Sequence, residues 1–271
     1  NITQTWGALN NGGLQSINSV TISGSSGFRM MSSPVAGQIY SDLLSELWTQ
    51  GMTGADVTSG DNNVWTYSGS GWTDVTDISS SGTSLTAGQG FLVFVYVDTD
   101  NDGDTGDTGA NGYLPVTLSV SGTENSSSAT VPSSGSIADE AWELAGNPFA
   151  KTIDWDLITQ TAVTTSCYVW DDATSAYKSW NGGSGTLTDG LIAPYQGFWV
   201  QGSGGSGSII ISTADKAGSA GTFYKTMNDS TRSEERRVGK ECRTRWSPEH
   251  EKKKKNKHHN YRSPHSNTPH S

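Results

Sequence analysis

Short apolar runs separated by Gly, Ser and Asp set the pattern of this chain, and one run occurs twice. Gly88-Gln89-Gly90-Phe91-Leu92-Val93-Phe94-Val95 returns, altered, as Tyr195-Gln196-Gly197-Phe198-Trp199-Val200. Each copy reads as a buried strand. The Gly permits a backbone conformation that other residues avoid, and the aromatic and β-branched block behind it suits a well-packed pleat. The flanking segments match as well. Phe28-Arg29-Met30-Met31 leads to Pro34, and Trp142-Glu143-Leu144-Ala145 leads to Pro148. Both read as strands that a proline ends, since proline donates nothing to a ladder. After each proline a short helix is expected. In the first half Ser41 reads as its N-cap, Leu43, Leu44, Leu47 and Trp48 share one face, and Gly51 stops it. In the second half residues 152–158 give a shorter version. Strands over 64–67 and 168–171 follow, then a polar turn and a strand carrying Trp72 in one half and Trp180 in the other.

Pro34 to Gln89 spans 55 positions and Pro148 to Gln196 spans 48, a difference that the shorter second helix and its loop absorb. Five features kept in order predict an all-β fold of two related β-rich modules, sandwiches or small barrels. They would arise by internal duplication and carry one short helix each. The first module covers 27–120 and closes with a strand over 114–120; the second covers 138–213 and closes with a strand over 208–212. Residues 1–26 hold one strand, 19–23, which closes the first module or belongs to an upstream region. The Ser-rich stretch 121–137 reads as a linker, and 214–231 as a linker to a further domain.

Charge divides the chain differently. Of 17 Lys+Arg and 27 Asp+Glu, 12 and 5 lie from Arg232 onward, together with all 5 His. Residues 1–231 therefore hold 5 basic and 22 acidic residues, no His, and a formal charge of −17 against −10 for the whole chain. Such an acidic, Lys-poor, Ser/Thr/Gly-rich body suits an extracellular or cell-surface protein and lacks the basic footprint of nucleic-acid binding. No apolar run approaches the length of a membrane span. The body starts at Asn1 without Met or signal peptide and reads as part of a longer protein, so its expected partners include other domains of the same parent chain. Cys167 is its only thiol, which leaves no intramolecular disulfide. From Arg232 the residues resemble a translated sequencing adapter, and the lysine run 252–255 resembles a translated poly-A read. The competing reading is a genuine basic tail. Residues 232–271 are set aside from the fold.

Two of these motifs carry a family resemblance. Residues 27–34 with 88–93, and 142–149 with 195–200, resemble the GW-x-L-x-x-P opening and GQGFWV closing strand of a family of secreted bacterial β-modules. Those modules are typical of type-IX-secreted surface proteins. The resemblance covers about residues 27–213 and implies an extracellular all-β module; its motifs are structural and imply no activity.

The absence of His from the body removes Ser-His-Asp and Cys-His arrangements and His-based zinc sites. Cys167 lies in an apolar strand and reads as a packed core thiol. Residues 202–207 match G-x-G-x-x-G but precede another strand, where a dinucleotide needs a helix N-terminus. Glu46, Glu124, Glu140 and Glu143 are the only glutamates of the body, and Asp154 and Asp156 read as helix caps. Of the Trp residues, Trp65, Trp142, Trp155, Trp170 and Trp199 read as core. Trp72 and Trp180, beside Ser/Gly turns, are the candidates for stacking on a sugar. Asp98, Asp100, Asp102 and Gly103 reproduce the opening of a calcium loop, D-x-[DN]-x-[DN]-G, to which Asp104 and Asp107 add carboxylates. Position twelve is Gly109 and no helix flanks the loop, so it is not an EF-hand. It reads as a strand-to-strand Ca2+ loop or as a solvated acidic hairpin. The function expected is that of a non-catalytic structural or adhesive module of a secreted or cell-surface bacterial protein. The alternatives are a carbohydrate-binding module, with glycans or cell-surface components as partners, and an accessory domain of an extracellular hydrolase.

Overall fold

The structure, a computed structural model, describes residues 2–6, 16–69, 71–82, 84–104 and 112–224. The first half runs β1 (Ile2–Trp6), β2 (Ser16–Ile22), β3 (Gly27–Ser32), α1 (Tyr40–Leu43), β4 (Val64–Ser68), β5 (Gly71–Asp74), β6 (Gly90–Val95) and β7 (Val116–Gly122). The second runs β8 (Ala129–Val131), β9 (Trp142–Gly146), β10 (Ile153–Asp154), a 3-10 turn at Trp155–Leu157, β11 (Thr159–Thr161), β12 (Cys167–Asp171), β13 (Ala176–Trp180), β14 (Leu191–Ile192), β15 (Gly197–Gln201) and β16 (Ser208–Ile211). The fold is all-β.

Two four-stranded antiparallel sheets share one strand order. The first is β3-β6-β4-β5 and the second β9-β15-β12-β13. Their registers coincide. Ser32 faces Gly90 and Gly146 faces Gly197; Trp65 faces Leu92 and Tyr168 faces Trp199. Met30 thus corresponds to Leu144, Arg29 to Glu143, and Tyr67 to Trp170. Each sheet has a second layer from its own half: β1-β2-β7 over the first, β11-β16-β8 over the second.

Period-2 alternation gives each central strand two buried faces. Phe91, Val93 and Val95 point into the first core with Val20, Leu118 and Leu43. Phe198 and Val200 point into the second with Val131, Ile209 and Trp155. The opposite faces meet each other. Met30, Leu144 and Trp199 are buried together, with Leu92, Tyr67, Trp142, Tyr168 and Trp170 packed around them. The order is therefore layer, sheet, sheet, layer.

The sheets touch through reciprocal backbone contacts. Met31 bridges to Gln196, and Gln89 to Ala145. Ser32 N–H donates to Tyr195 O at 2.9 Å, and Gly146 N–H to Gly88 O at 2.7 Å. Tyr195 stands where the other half has Gly88. It takes a φ of 66°, against 83° for the glycine, and its ring is buried in the first core. Arg29, the only arginine of the body, is buried at this contact and ion-pairs with Asp172 at 2.9 Å. Burial lowers its pKa, while Asp172 opposes that by favouring the charged form.

Several expectations are corrected. The stretch 121–137 is not a plain linker: Ala129 and Val131 of β8 are buried and pair with β16. Nor is 214–224 one, since Ala217 and Phe223 are buried and Lys216 pairs with Glu124 at 2.6 Å. Residues 1–26 hold two strands, and β2 pairs along its length with β7, inside the first half. Ser41 lies within α1, whose N-cap is Ile39; the helix ends at Leu43, well before Gly51, and the buried Leu44 and Leu47 lie on the turns that follow. The second expected helix is β10 followed by the 3-10 turn. Trp72 faces Tyr67 while Tyr177 faces Trp170, so Tyr177 and not Trp180 holds the place of Trp72. The tail 232–271 lies outside the described residues.

Gly90 tests the close contact of the sheets. A Cβ there would run into Ala145 O and come within 2.9 Å of Leu144 Cγ. Gly90→Ala is expected to lower the unfolding free energy by about 2–3 kcal/mol in urea titrations. Gly183→Ala, which meets nothing within 4 Å, should change it by less than about 0.5 kcal/mol.

Candidate functional site

The acidic loop leaves β6 and returns to β7. Its base is tied: Asp98 bridges to Tyr113, Leu114 N–H donates to Val97 O at 2.9 Å, and Thr99 Oγ1 donates to Gly112 O at 2.7 Å. Above the base the loop folds on its own carboxylates. Asp98 accepts from Asn101 N–H at 2.7 Å and from Gly103 N–H at 2.9 Å, and Asp102 accepts from Asp104 N–H at 2.7 Å. Asn101 at φ 57° and Gly103 at φ 82° make that turn. Desolvation raises the Asp98 carboxyl, but the amides of Gly103 and Asn101, with Asp100, outweigh it and hold the group below the ordinary carboxylate range. Asp98, Asp100 and Asp102 each bring one oxygen within 4.8 Å of the others. That donor set fits a hard cation. Asp104 contributes its backbone amide to Asp102 and stands outside this trio, and Asp107 lies outside the described residues.

Trp72 and Trp180 do not form a joint surface. Trp72, on β5, is 47% exposed. It meets Tyr67 and Trp199 edge to face, at 76° and 75° with centroids 5.2 and 5.6 Å away. Trp180, on β13, is half-buried; its Nε1 donates to Asp156 Oδ1 at 2.9 Å. Steep interplanar angles run through the whole cluster, since Tyr67–Trp199 is at 89° and Trp142–Trp199 at 82°. This is the geometry of ring packing, not of a flat platform.

Cys167 is buried in the second core, and burial pushes its thiol well up. The glycine-rich segment 202–207 joins β15 to β16, strand to strand, and Gly204 N–H donates to Asp139 at 2.6 Å.

A cleft that no sequence motif marks lies between the two halves. It measures about 240 Å³ and is walled by the β4–β5 turn, the segment before β6, and the residues after β8, with Glu143 of β9 on its side. Burial pushes the Glu143 carboxyl up to about 7, opposed by a hydrogen bond from the Gly69 amide. A second hollow of about 480 Å³ holds Asp74 and Asp77. There Asp77 is turned onto Ser79, accepting its amide at 2.9 Å and its hydroxyl at 2.6 Å. The one sequence signal for the cleft is a lone acid, Glu143, within the otherwise uncharged strand Trp142–Gly146.

Compared with family models, with curated proteins and with solved structures, the chain matches none. No helix among the described residues is long and apolar enough to cross a membrane.

Glu143 sets a pH dependence. Its folded value lies above the ordinary 4.5, so the folded state holds the proton more tightly than the unfolded chain. The stability it adds is therefore full below about pH 4.5 and lost as pH rises to about 7. Melting temperature is expected to fall from pH 5 to pH 8 in the wild-type chain, and Glu143→Gln should flatten that slope.

Proposed function

We propose that the described residues form a rigid, non-catalytic double module, a structural or adhesive element of a secreted or cell-surface bacterial protein. The observation that carries this reading is the contact between the sheets. Aromatic and aliphatic side chains that would otherwise face outward from each sheet are used to fix one half against the other. Backbone hydrogen bonds and the buried Arg29–Asp172 pair fix the register of that contact. A flexible linker has no use for such a joint; a spacer that carries load does. The resemblance of the two Gln-Gly-Phe motifs to secreted bacterial modules supports the extracellular setting, as does the acidic, Lys-poor body. The paired strand orders support internal duplication. Stacking of a sugar ring on an exposed tryptophan rests on Trp72 alone, and its edge-on packing argues against it.

The joint is tested by calorimetry. One transition is expected, with calorimetric and van't Hoff enthalpies in agreement. Two separate transitions, one for each half, would defeat the rigid reading.

The proposal extends to calcium on the acidic loop. Asp98, Asp100 and Asp102 would hold Ca2+ at the millimolar affinity usual of extracellular modules, easing the repulsion among their charges. Calorimetric titration is expected to show binding that Asp100→Ala with Asp102→Ala removes. Equal heats from both proteins, or none from either, would leave a solvated acidic hairpin.

A further inference from the structure

The two reciprocal half-sites of the sheet contact are filled differently. In one, Arg29 closes the joint. Its Nη1 lies 2.9 Å from Asp172 Oδ2 and donates to Phe28 O at 3.0 Å, and its Nη2 donates to Ser25 O at 3.2 Å. Gln196 is buried beside it, donating to Met30 O at 3.0 Å and accepting from Tyr224 N–H at 3.2 Å. In the other half-site the registers put Glu143 in the place of Arg29 and Gly69 in the place of Asp172. Gln89, the counterpart of Gln196, is only half-buried and lines the cleft. No side chain projects from Gly69, and a Cβ there would meet nothing within 4 Å. The space that an ion pair fills in one half is the open cleft of the other.

The chemistry of its walls is uniform. Among the described residues, Glu143 is the one charged residue lining it, and Tyr67 the one other titratable group. The remaining polar groups include the hydroxyls of Thr86, Thr130, Ser133 and Ser136. We propose that this cleft binds a small polyhydroxylated ammonium ion, its nitrogen on Glu143 and its hydroxyls on these serines and threonines. A partly desolvated carboxylate with no cation among its described neighbours gains most from a cationic hydrogen-bond donor. A divalent metal draws several carboxylates, and the cleft offers one. At about 240 Å³ it falls below the roughly 300–1,000 Å³ of pockets for drug-sized ligands, which limits the occupant to one sugar-sized molecule. The Tyr67 ring gives the carbon skeleton an apolar wall. This site is additional to the structural role, and its failure leaves that role standing.

The test is calorimetric titration of the full chain with N-methylglucamine. Sorbitol supplies the hydroxyls without the charge, and methylammonium supplies the charge without the hydroxyls. N-methylglucamine is expected to bind at least tenfold more tightly than either. Its affinity should fall roughly tenfold from pH 8 to pH 6 as Glu143 takes up its proton. Glu143→Gln should abolish binding while leaving the melting temperature at pH 5 unchanged. The proposal is overturned by no heat from N-methylglucamine at pH 8, or by sorbitol binding as well. Undiminished binding to Glu143→Gln would overturn it too. The sorbitol comparison uses wild-type protein and stands whether or not the variant folds.

Discussion

The close approach of two backbones where β6 and β15 begin is the constraint on which the rest of the structure depends. Ser32 reaches Tyr195 O and Gly146 reaches Gly88 O because nothing bulkier than hydrogen stands on Gly90, Gly146 or Gly197. At Gly197 a Cβ would lie 3.0 Å from the Met30 carbonyl carbon and the Met31 amide. With the backbones at that distance, the outward faces of both sheets are driven together and must be apolar. That requirement explains the near-continuous apolar runs of the central strands. Leu92 and Trp199 would be misplaced on a single sandwich with one solvated face; here each is covered by the other half.

The reciprocal contacts also explain two residues that look unfavourable in isolation. Tyr195 adopts a left-handed backbone where its counterpart is glycine, a cost of order 1 kcal/mol or more. Burial of a Tyr ring in the first core offsets that cost, at roughly 1.5–3 kcal/mol for a large side chain. Arg29 loses its hydration, yet its guanidinium finds two carbonyls and a carboxylate at fixed positions. Gly27 allows this, since any Cβ there would occupy the space of the Asp172 carboxylate. A buried pair of this kind adds little net stability, but it tolerates only one register.

Much of this was legible in the sequence, and the parts that were not have physical causes. The Gln-Gly-Phe strands and the order of elements around them were readable because burial on two faces writes an unbroken apolar signal. The pairing of Trp72 with Trp180 was not. A two-residue turn joins Ser68 to Gly71 and a four-residue turn joins Asp171 to Ala176, so matching by residue identity slips the register. A slip of one residue reverses every side chain on a strand: residue type aligns 64–67 with 168–171, whereas the pairing makes Trp65 the counterpart of Tyr168. Strand β8 was hidden because three residues, two of them apolar, carry no period within a Ser-rich stretch. The short helix was overread: Leu43, Leu44 and Leu47 are all buried, as the spacing implied, but turns rather than helix present the last two. The acidic loop was legible as a motif. Its use of Asp98 and Asp102 to hold its own amides was not, because that depends on the turn geometry at Asn101 and Gly103.

The difference between the half-sites follows from where charge can be tolerated in such a joint. Two sheets of one strand order in reciprocal contact present matching interface positions twice, so one end can hold the joint while the other is released from doing so. Arg29 with Asp172 closes one end, where the arginine is 1% exposed. The other end holds no ion pair: Gly146 N–H donates to Gly88 O, and the Gly69 amide donates to the Glu143 carboxylate. An acid at position 143 could not have been placed opposite a second acid at 69 without strong repulsion in a partly desolvated site, and glycine there removes the conflict. The same glycine removes the side chain that would have filled the space. An open, singly charged cleft thus lies at one half-site where the other holds a buried ion pair.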